Sequence, residues 1–131
     1  MFLLDTDTCF EILRGNGRVI AQRRGVYAPV VTTEITASEL FYGAAKSKDP
    51  SANRKVVLEF LRTLPVLPIS LTGAQFFGSF RAQLQAAGNL IPDADLWIAS
   101  ISRAVRAKIV TGNTRDLSRV PGVECVDWIH A

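Results

Sequence analysis

Several oxygen-bearing side chains of this sequence lie beside short apolar runs, where predicted strands end and predicted helices begin. One acid directly follows the apolar run at residues 2–4, and an unpaired carboxylate in such a buried position would be costly. The candidate site residues are Asp5, Glu39, Asp95, Asn113 and Asp116. Oxygen ligands of this kind suit Mg²⁺, a hard cation that assists phosphate chemistry. The set therefore indicates a metal-dependent hydrolase.

The elements that must position these residues alternate along the chain. Apolar, β-branched runs predict strands, and helical periodicity bounded by capping and breaking residues predicts helices. The predicted strands are 2–4, 30–35, 66–69, 108–111 and 123–126, and the predicted helices are 6–14, 18–24, 36–46, 51–64, 71–87 and 93–106. The alternation predicts an α/β fold with a parallel central sheet of about five short strands and helices on both faces. We expect one domain, 1–131.

This topology predicts that the candidate residues meet at one edge of the sheet. Asp5 ends the first strand, and Glu39 is predicted to lie in the first turn of the helix after the second strand. The helix carrying Asp95 runs almost directly into the fourth strand, so its N-terminus returns to the carboxyl edge. Asn113 and Asp116 follow that strand. Sites of open parallel sheets lie at this edge, and a divalent cation would offset the repulsion between the acids.

Each acid also has a purely structural interpretation. Thr36 and Glu39 have the spacing of a capping box, which would make Glu39 a helix cap. Asp7 and Asp93 suit the N-cap positions of the first and last predicted helices. Asp95 could act only on the dipole of its helix. Asp5 is the hardest of the acids to explain in this way.

The basic residues fall into two groups. The chain has fifteen Lys and Arg against twelve Asp and Glu, a formal charge of +3. The groups are Arg14, Arg18, Arg23 and Arg24, and Arg103, Arg106, Lys108, Arg115 and Arg119. One interpretation is solvated helix faces, in which Asp116 pairs with a neighbouring arginine. The other is that both groups form basic rims around the acidic centre and hold phosphates.

Composition argues against several other classes. The two cysteines and the single histidine lack the spacing of a zinc site. No stretch approaches the roughly 20 apolar residues of a membrane span, so no membrane association is expected. Free thiols in a reducing cytoplasm are the expected state.

The sequence resembles PIN-domain ribonuclease toxins of the VapC type along almost its whole length. The order and spacing of five segments carry the resemblance. Residues 3–7 (LLDTD) resemble the family motif LLDTN, and residues 39–43 (ELFYG) resemble its ELxYG motif. Residues 91–99 (IPDADLWIA) resemble the segment ending in DxxIA, and residues 109–117 (IVTGNTRDL) resemble IVTNNTREF. Residues 120–122 and 127–129 resemble the closing pattern of the family.

The resemblance implies a Rossmann-like PIN fold and a Mg²⁺-dependent endoribonuclease, with Mn²⁺ as a substitute metal. It implies cleavage of tRNA or other structured RNA by metal-activated water, neutralisation by a cognate VapB-type antitoxin, and a homodimer within the toxin–antitoxin complex. Asp5, Glu39 and Asp95 match the acidic triad and are the expected metal ligands. Asn113 matches a fourth position that is Asp in many PIN domains, and Asp116 matches an acidic neighbour of variable role.

Three positions depart from the family pattern. Asp7 replaces the usual Asn, Gly112 replaces the commoner first Asn of TNNT, and Asp93 adds a carboxylate beside the third motif. These departures leave open the fourth ligand and the number of metal ions.

Two alternatives compete with this interpretation. The segment from Asp5 to Thr8 also matches the DxDxT nucleophile motif of haloacid-dehalogenase-type phosphatases, with Ser70 as the hydroxyl residue, although Glu39 and Asp95 would then have no role. The second alternative is a non-catalytic module that binds RNA or protein through its basic residues. Clustered acids would repel phosphate in such a module unless a metal were present.

Overall fold

The centre of the fold is a sheet of five parallel strands. The computed structural model describes residues 1–130. The strands are β1 (Phe2–Leu4), β2 (Val30–Thr33), β3 (Val66–Leu67), β4 (Lys108–Val110) and β5 (Cys125–Val126). They pair in the order β3-β2-β1-β4-β5, and every pair is parallel. The predicted α/β fold is confirmed, and β1 lies at its centre.

Seven helices connect and cover these strands within the described residues. They are α1 (Thr6–Leu13), α2 (Gly17–Gly25), α3 (Glu34–Ala45), α4 (Pro50–Leu61), α5 (Leu71–Ala86), α6 (Asp93–Val105) and α7 (Thr114–Leu117). Six match the predicted helices to within a few residues. The four-residue α7 was not predicted, because one turn is too short to show a helical period. No helix in residues 1–130 is both long and apolar enough to cross a membrane.

Side chains of β1 point alternately to two separate cores. Leu3 packs with buried residues of α5 and α6, and Leu4 packs with buried residues of α1, α3 and α4. Both leucines are fully buried, as expected for a central parallel strand covered on both faces. Because side chains of β1 are packed on both faces of the sheet, the position of Asp5 at the end of this strand is fixed.

The start of α3 corrects the capping-box interpretation. The N-cap is Thr33, whose hydroxyl accepts a 3.1 Å hydrogen bond from the Thr36 backbone N–H. The helix therefore begins at Glu34, two residues earlier than predicted, and Glu39 lies in its second turn. The prediction that Glu39 lies in the first turn was wrong, and Glu39 is not a cap. Its side chain is left available to the carboxyl edge of the sheet.

Two further capping predictions were wrong. Asp5, not Asp7, is the N-cap of α1 and accepts a hydrogen bond from Thr6 N. The N-cap of α6 is Pro92, which provides no side-chain acceptor. Asp93 instead forms an exposed ion pair of 2.9 Å with Arg81.

Candidate active site

Asp5 is held at the carboxyl end of β1 by hydrogen bonds to both of its carboxylate oxygens. Oδ1 accepts from Thr6 N at 2.8 Å, and Oδ2 accepts from the Thr111 hydroxyl at 2.8 Å. The residue is only 4 % exposed. Burial, and next the charge of Asp7, raise the pKa of Asp5 to about 7, although the two hydrogen bonds oppose the shift. This carboxylate is therefore well oriented and lacks a neutralising charge.

Asp95 approaches the same edge from the first turn of α6. Burial raises its pKa, and the charges of Glu39, Asp116 and Asp7 raise it further. Asn113 lies between Asp95 and Asp116. Its Nδ2 is 3.5 Å from Asp95 Oδ2 and 3.3 Å from Asp116 Oδ2. The amide therefore separates two like charges.

Glu39 reaches the site from the second turn of α3. Its Oε1 accepts a 2.8 Å hydrogen bond from the Thr6 hydroxyl, which also lies 3.1 Å from the Thr36 hydroxyl. Glu39 Oε2 has no hydrogen bond to residues 1–130. The first turn of α1 thus orients one oxygen of Glu39 and leaves the other free.

These side chains surround a cleft of about 300 Å³ at the carboxyl edge of the sheet. It is lined by Asp5, Thr6, Asp7, Phe10, Glu39, Asp95 and Asn113. None of its four carboxylates forms an ion pair with a lysine, arginine or histidine of residues 1–130. Asp116 is set apart from the cleft lining, and its Oδ1 lies 3.8 Å from Arg119. The predicted convergence of Asp5, Glu39, Asp95 and Asn113 is present in the structure.

The donor set fits a hard divalent cation in chemistry and in charge. Within the described chain, no three Asp, Glu, His or Cys side chains already form a closed metal-binding cluster. Mg²⁺ does not need one, because it usually keeps several waters and takes one or two protein carboxylates. Burial and neighbouring negative charges raise the pKa values of Asp5 and Asp95, and a bound cation would offset both effects. Asp5, Asp95 and Glu39 are the residues that could hold the ion.

Sequence reasoning missed two supports of the cleft. Thr111 follows β4 in the position that Asp5 occupies after the adjacent β1, since Leu4 and Val110 are register partners. The Thr111 hydroxyl accepts from Asn113 N at 2.9 Å while it donates to Asp5. Parallel register was the signal that could have identified this residue. Asp7, for which an N-cap position was predicted and whose role at the site was left open, also lines the cleft.

The hypothesis that both basic groups rim the acidic centre was wrong for part of the second group. Arg103, Arg106 and Lys108 lie around the beginnings of β1 and β4, at the opposite edge of the sheet. Arg14 is not part of the cleft lining, but its guanidinium lies 5.7 Å from the ring centroid of the cleft residue Phe10, and it pairs with Glu11 at 3.5 Å.

The geometry does not support the phosphatase alternative. Ser70 is the N-cap of α5, and its hydroxyl oxygen accepts a 3.0 Å hydrogen bond from Gly73 N. It does not line the cleft. It follows the edge strand β3, which β2 separates from β1. Glu39 and Asp95, which that alternative leaves unused, line the cleft together with Asp5.

Curated relatives match the chain over nearly its full length. The "tRNA(fMet)-specific endonuclease VapC" of Salmonella typhimurium is 34% identical over 128 residues, covering 97% of both chains. The "Ribonuclease VapC2" of Haemophilus influenzae strain Rd is 31% identical over 129 residues, covering 98% of both.

Solved structures match equally well. The DNA-bound VapBC of Salmonella typhimurium aligns with a TM-score of 0.91 at 34% identity and 97% coverage of both chains. VapBC2 of Rickettsia felis, bound to a promoter DNA fragment, aligns with a TM-score of 0.91 at 26% identity, covering 97% of this chain and 98% of that one. The family model described as "PIN domain" matches residues 2–123. The chain belongs to the PIN domain family and is similar, within it, to the VapC ribonucleases.

Proposed function

We propose that this protein is a Mg²⁺-dependent endoribonuclease that acts as the toxin of a VapBC-type toxin–antitoxin system. The observation that carries the proposal is the cleft at the carboxyl edge, where Asp5, Asp7, Glu39 and Asp95 meet without a counter-cation from residues 1–130. A nuclease site needs such a set to hold a metal beside a phosphodiester. Similarity to the tRNA(fMet)-specific endonuclease supports tRNA, or another structured RNA, as the substrate.

The metal is assigned to Asp5 and Asp95, with Glu39 as a further ligand through water. Mg²⁺ would supply activation of a water molecule and stabilisation of negative charge on the phosphate, and Mn²⁺ would substitute for it. Asp5 is suited to binding a cation because hydrogen bonds fix its orientation. Asn113 steadies Asp95, and Asp116 acts on the site through Asn113.

The attacking water needs an acceptor for its proton, and Glu39 Oε2 is suited to this role. Its partner oxygen is fixed by Thr6, so the free oxygen has a defined direction. We assign the holding of a flanking phosphate to Arg14, because its guanidinium lies 5.7 Å from the ring of the cleft residue Phe10. Attack by water on the phosphorus would leave 5′-phosphate and 3′-hydroxyl ends.

A protein partner and a cellular location are also proposed for this protein. Structures similar to this chain are VapBC complexes, which supports a VapB-type antitoxin as the partner of this protein. A homodimeric toxin within that complex and a cytoplasmic location remain part of the proposal.

The test is cleavage of total tRNA by the purified protein with and without Mg²⁺, followed by sequencing of the RNA ends. Wild-type protein should produce discrete 5′-phosphate ends only with the metal. Asp5→Asn should produce none, whereas Asp93→Asn, which alters an exposed acid outside the cleft, should cleave like the wild type. Equal cleavage by wild type and Asp5→Asn would contradict the proposal.

A further inference from the structure

A second cavity, of about 420 Å³, lies at the opposite edge of the sheet, where the strands begin. Its wall is formed by the first residues of β1 and β4, the C-terminal end of α6 and the loop before β5. None of the residues that line the carboxyl-edge cleft lines this cavity. It is a separate site, and the proposed nuclease activity gives it no role.

Positive charge dominates this cavity. Arg103, Arg106 and Lys108 line it, against the single carboxylate of Glu124. Lys108 Nζ lies 3.8 Å from Glu124. Both side chains are largely exposed, so this ion pair is weak. Within residues 1–130, Arg103 and Arg106 have no ion-pair partner. The cavity therefore favours an anionic ligand.

Arg103 is held in place without an acceptor of its own. Its guanidinium carbon lies 5.3 Å from the ring centroid of Phe76. On another side it contacts Gly122, where an added Cβ would lie 3.2 Å from Arg103 Nε. That Nε is buried and has no hydrogen-bond partner in the described chain. The terminal guanidinium nitrogens of this cavity residue also have no hydrogen-bond partner in residues 1–130, and an anionic oxygen bound in the cavity would provide one.

The rest of the wall is largely apolar, with Ser102 as a polar residue. Phe2, Ala28 and Ala107 line the cavity beside the basic side chains. A lone phosphate would leave most of this space and the apolar wall unused, since small-molecule pockets typically span roughly 300–1,000 Å³. The wall fits a ligand that joins a phosphate to a partly apolar body.

We propose that this cavity binds a nucleoside monophosphate unit. The phosphate lies against Arg103, Arg106 and Lys108, and the sugar or base lies against Phe2 and the two alanines. The unit is either a free nucleotide or one nucleotide of an RNA strand. The proposal is tested by binding, so it stands or falls independently of the nuclease activity.

The experiment is an amide NMR titration of the labelled full chain with adenosine 5′-monophosphate, with adenosine as the ligand that lacks phosphate. A 2′-O-methyl RNA oligonucleotide forms a third arm. The nucleotide or the oligonucleotide should shift the amides of Ala107, Lys108 and Gly122 in a saturable way, and adenosine should not. Saturation by the mononucleotide identifies a free nucleotide as the ligand, whereas saturation by the oligonucleotide alone identifies RNA.

Variants that remove equal charge from different positions show whether the nucleotide binds in the cavity. Arg106→Gln/Lys108→Gln should weaken binding by about tenfold or more, because two phosphate contacts are lost. Lys48→Gln/Lys55→Gln removes the same charge from exposed positions of the α3–α4 region and should change affinity by less than about twofold. Arg103→Lys keeps the charge and should also weaken binding, because the bidentate contact is lost. No saturable shift at the three amides, or equal affinity in both double variants, would overturn the proposal.

Discussion

The backbone N–H of Gly112 donates a 2.8 Å hydrogen bond to Asp7 Oδ2. These are two of the positions at which the sequence departs from the family motifs, and they lie in direct contact although they are 105 residues apart. The other oxygen, Asp7 Oδ1, accepts from Thr8 N at 2.7 Å. The two N–H groups bind different oxygens of Asp7, and an asparagine in the same rotamer would present an NH2 donor to one of them. The two departures therefore act as a pair that joins α1 to the segment carrying Asn113.

Gly112→Ala should disturb this contact. A Cβ at residue 112 would lie 3.0 Å from Asp7 Oδ2 and 3.0 Å from His130 Cε1, so neighbouring side chains would have to move. We expect a loss of about 1–2 kcal/mol in the free energy of unfolding and a severalfold loss of RNA cleavage. Urea unfolding and a cleavage time course measure both. Gly78→Ala is the matched control, because nothing lies within 4 Å of its added Cβ. Equal stability and activity of the two variants would contradict the predicted coupling.

The free energy of unfolding should fall with rising pH in metal-free protein, because of Asp5. Its pKa is raised from 3.8 to about 7. The unfolded chain releases this proton near pH 4, whereas the folded chain keeps it until about pH 7. The folded state is therefore progressively destabilised across that interval, by a few kcal/mol at its upper end. Asp7 and Asp95, whose pKa values are also raised, act in the same direction.

Comparison of wild type with Asp5→Asn isolates this effect. The variant cannot ionise and should be the more stable of the two above pH 7 without metal, and the difference should shrink towards pH 4. Urea unfolding in EDTA across the interval measures it, with Asp93→Asn as the exposed control. Parallel curves for wild type and Asp5→Asn would show that burial does not raise this pKa.

The parts of the site that follow from topology could be predicted from the sequence. Asp5 and Asp95 were placed correctly because strand ends and helix starts of a parallel sheet share an edge. Glu39 was placed at the correct edge but in the wrong turn, since Glu34 and Ile35, the first residues of α3, were assigned to the second strand. The contact between Asp7 and Gly112 could not be predicted, because it depends on tertiary packing between distant segments. The same is true of the ion pair between Arg81 and Asp93.

Mg²⁺ should raise the melting temperature of the wild-type protein. A ligand that binds only the folded state stabilises it, and at about tenfold excess over its Kd the gain is about 1.4 kcal/mol. In a domain of this size this corresponds to about 3–5 °C. Differential scanning fluorimetry at millimolar Mg²⁺ and at constant ionic strength measures the shift. Asp5→Asn and Asp95→Asn should lose most of it, and Asp93→Asn should keep it. A shift of the same size in all four proteins would place the ion outside the cleft.

Thr6→Val should separate the orientation of Glu39 from the presence of its charge. The Thr6 hydroxyl is the hydrogen-bond donor that fixes Glu39 Oε1 at 2.8 Å, and valine has nearly the same shape without a donor. Glu39 would keep its charge but lose its defined direction, so kcat for RNA cleavage should fall by about tenfold, the loss expected for roughly 1.4 kcal/mol of positioning energy. KM should change little, because Thr6 is not assigned to substrate binding.

Thr6→Ser provides the matched test of this role, because it restores the hydroxyl on a smaller side chain. Its kcat should return to near the wild-type value, whereas a purely structural role for the Thr6 methyl group would impair Thr6→Ser and spare Thr6→Val, which keeps that methyl. Melting curves of both variants serve as the folding control. Full activity of Thr6→Val would mean that Glu39 needs no fixed orientation, and its assignment as the proton acceptor would then lose its structural support.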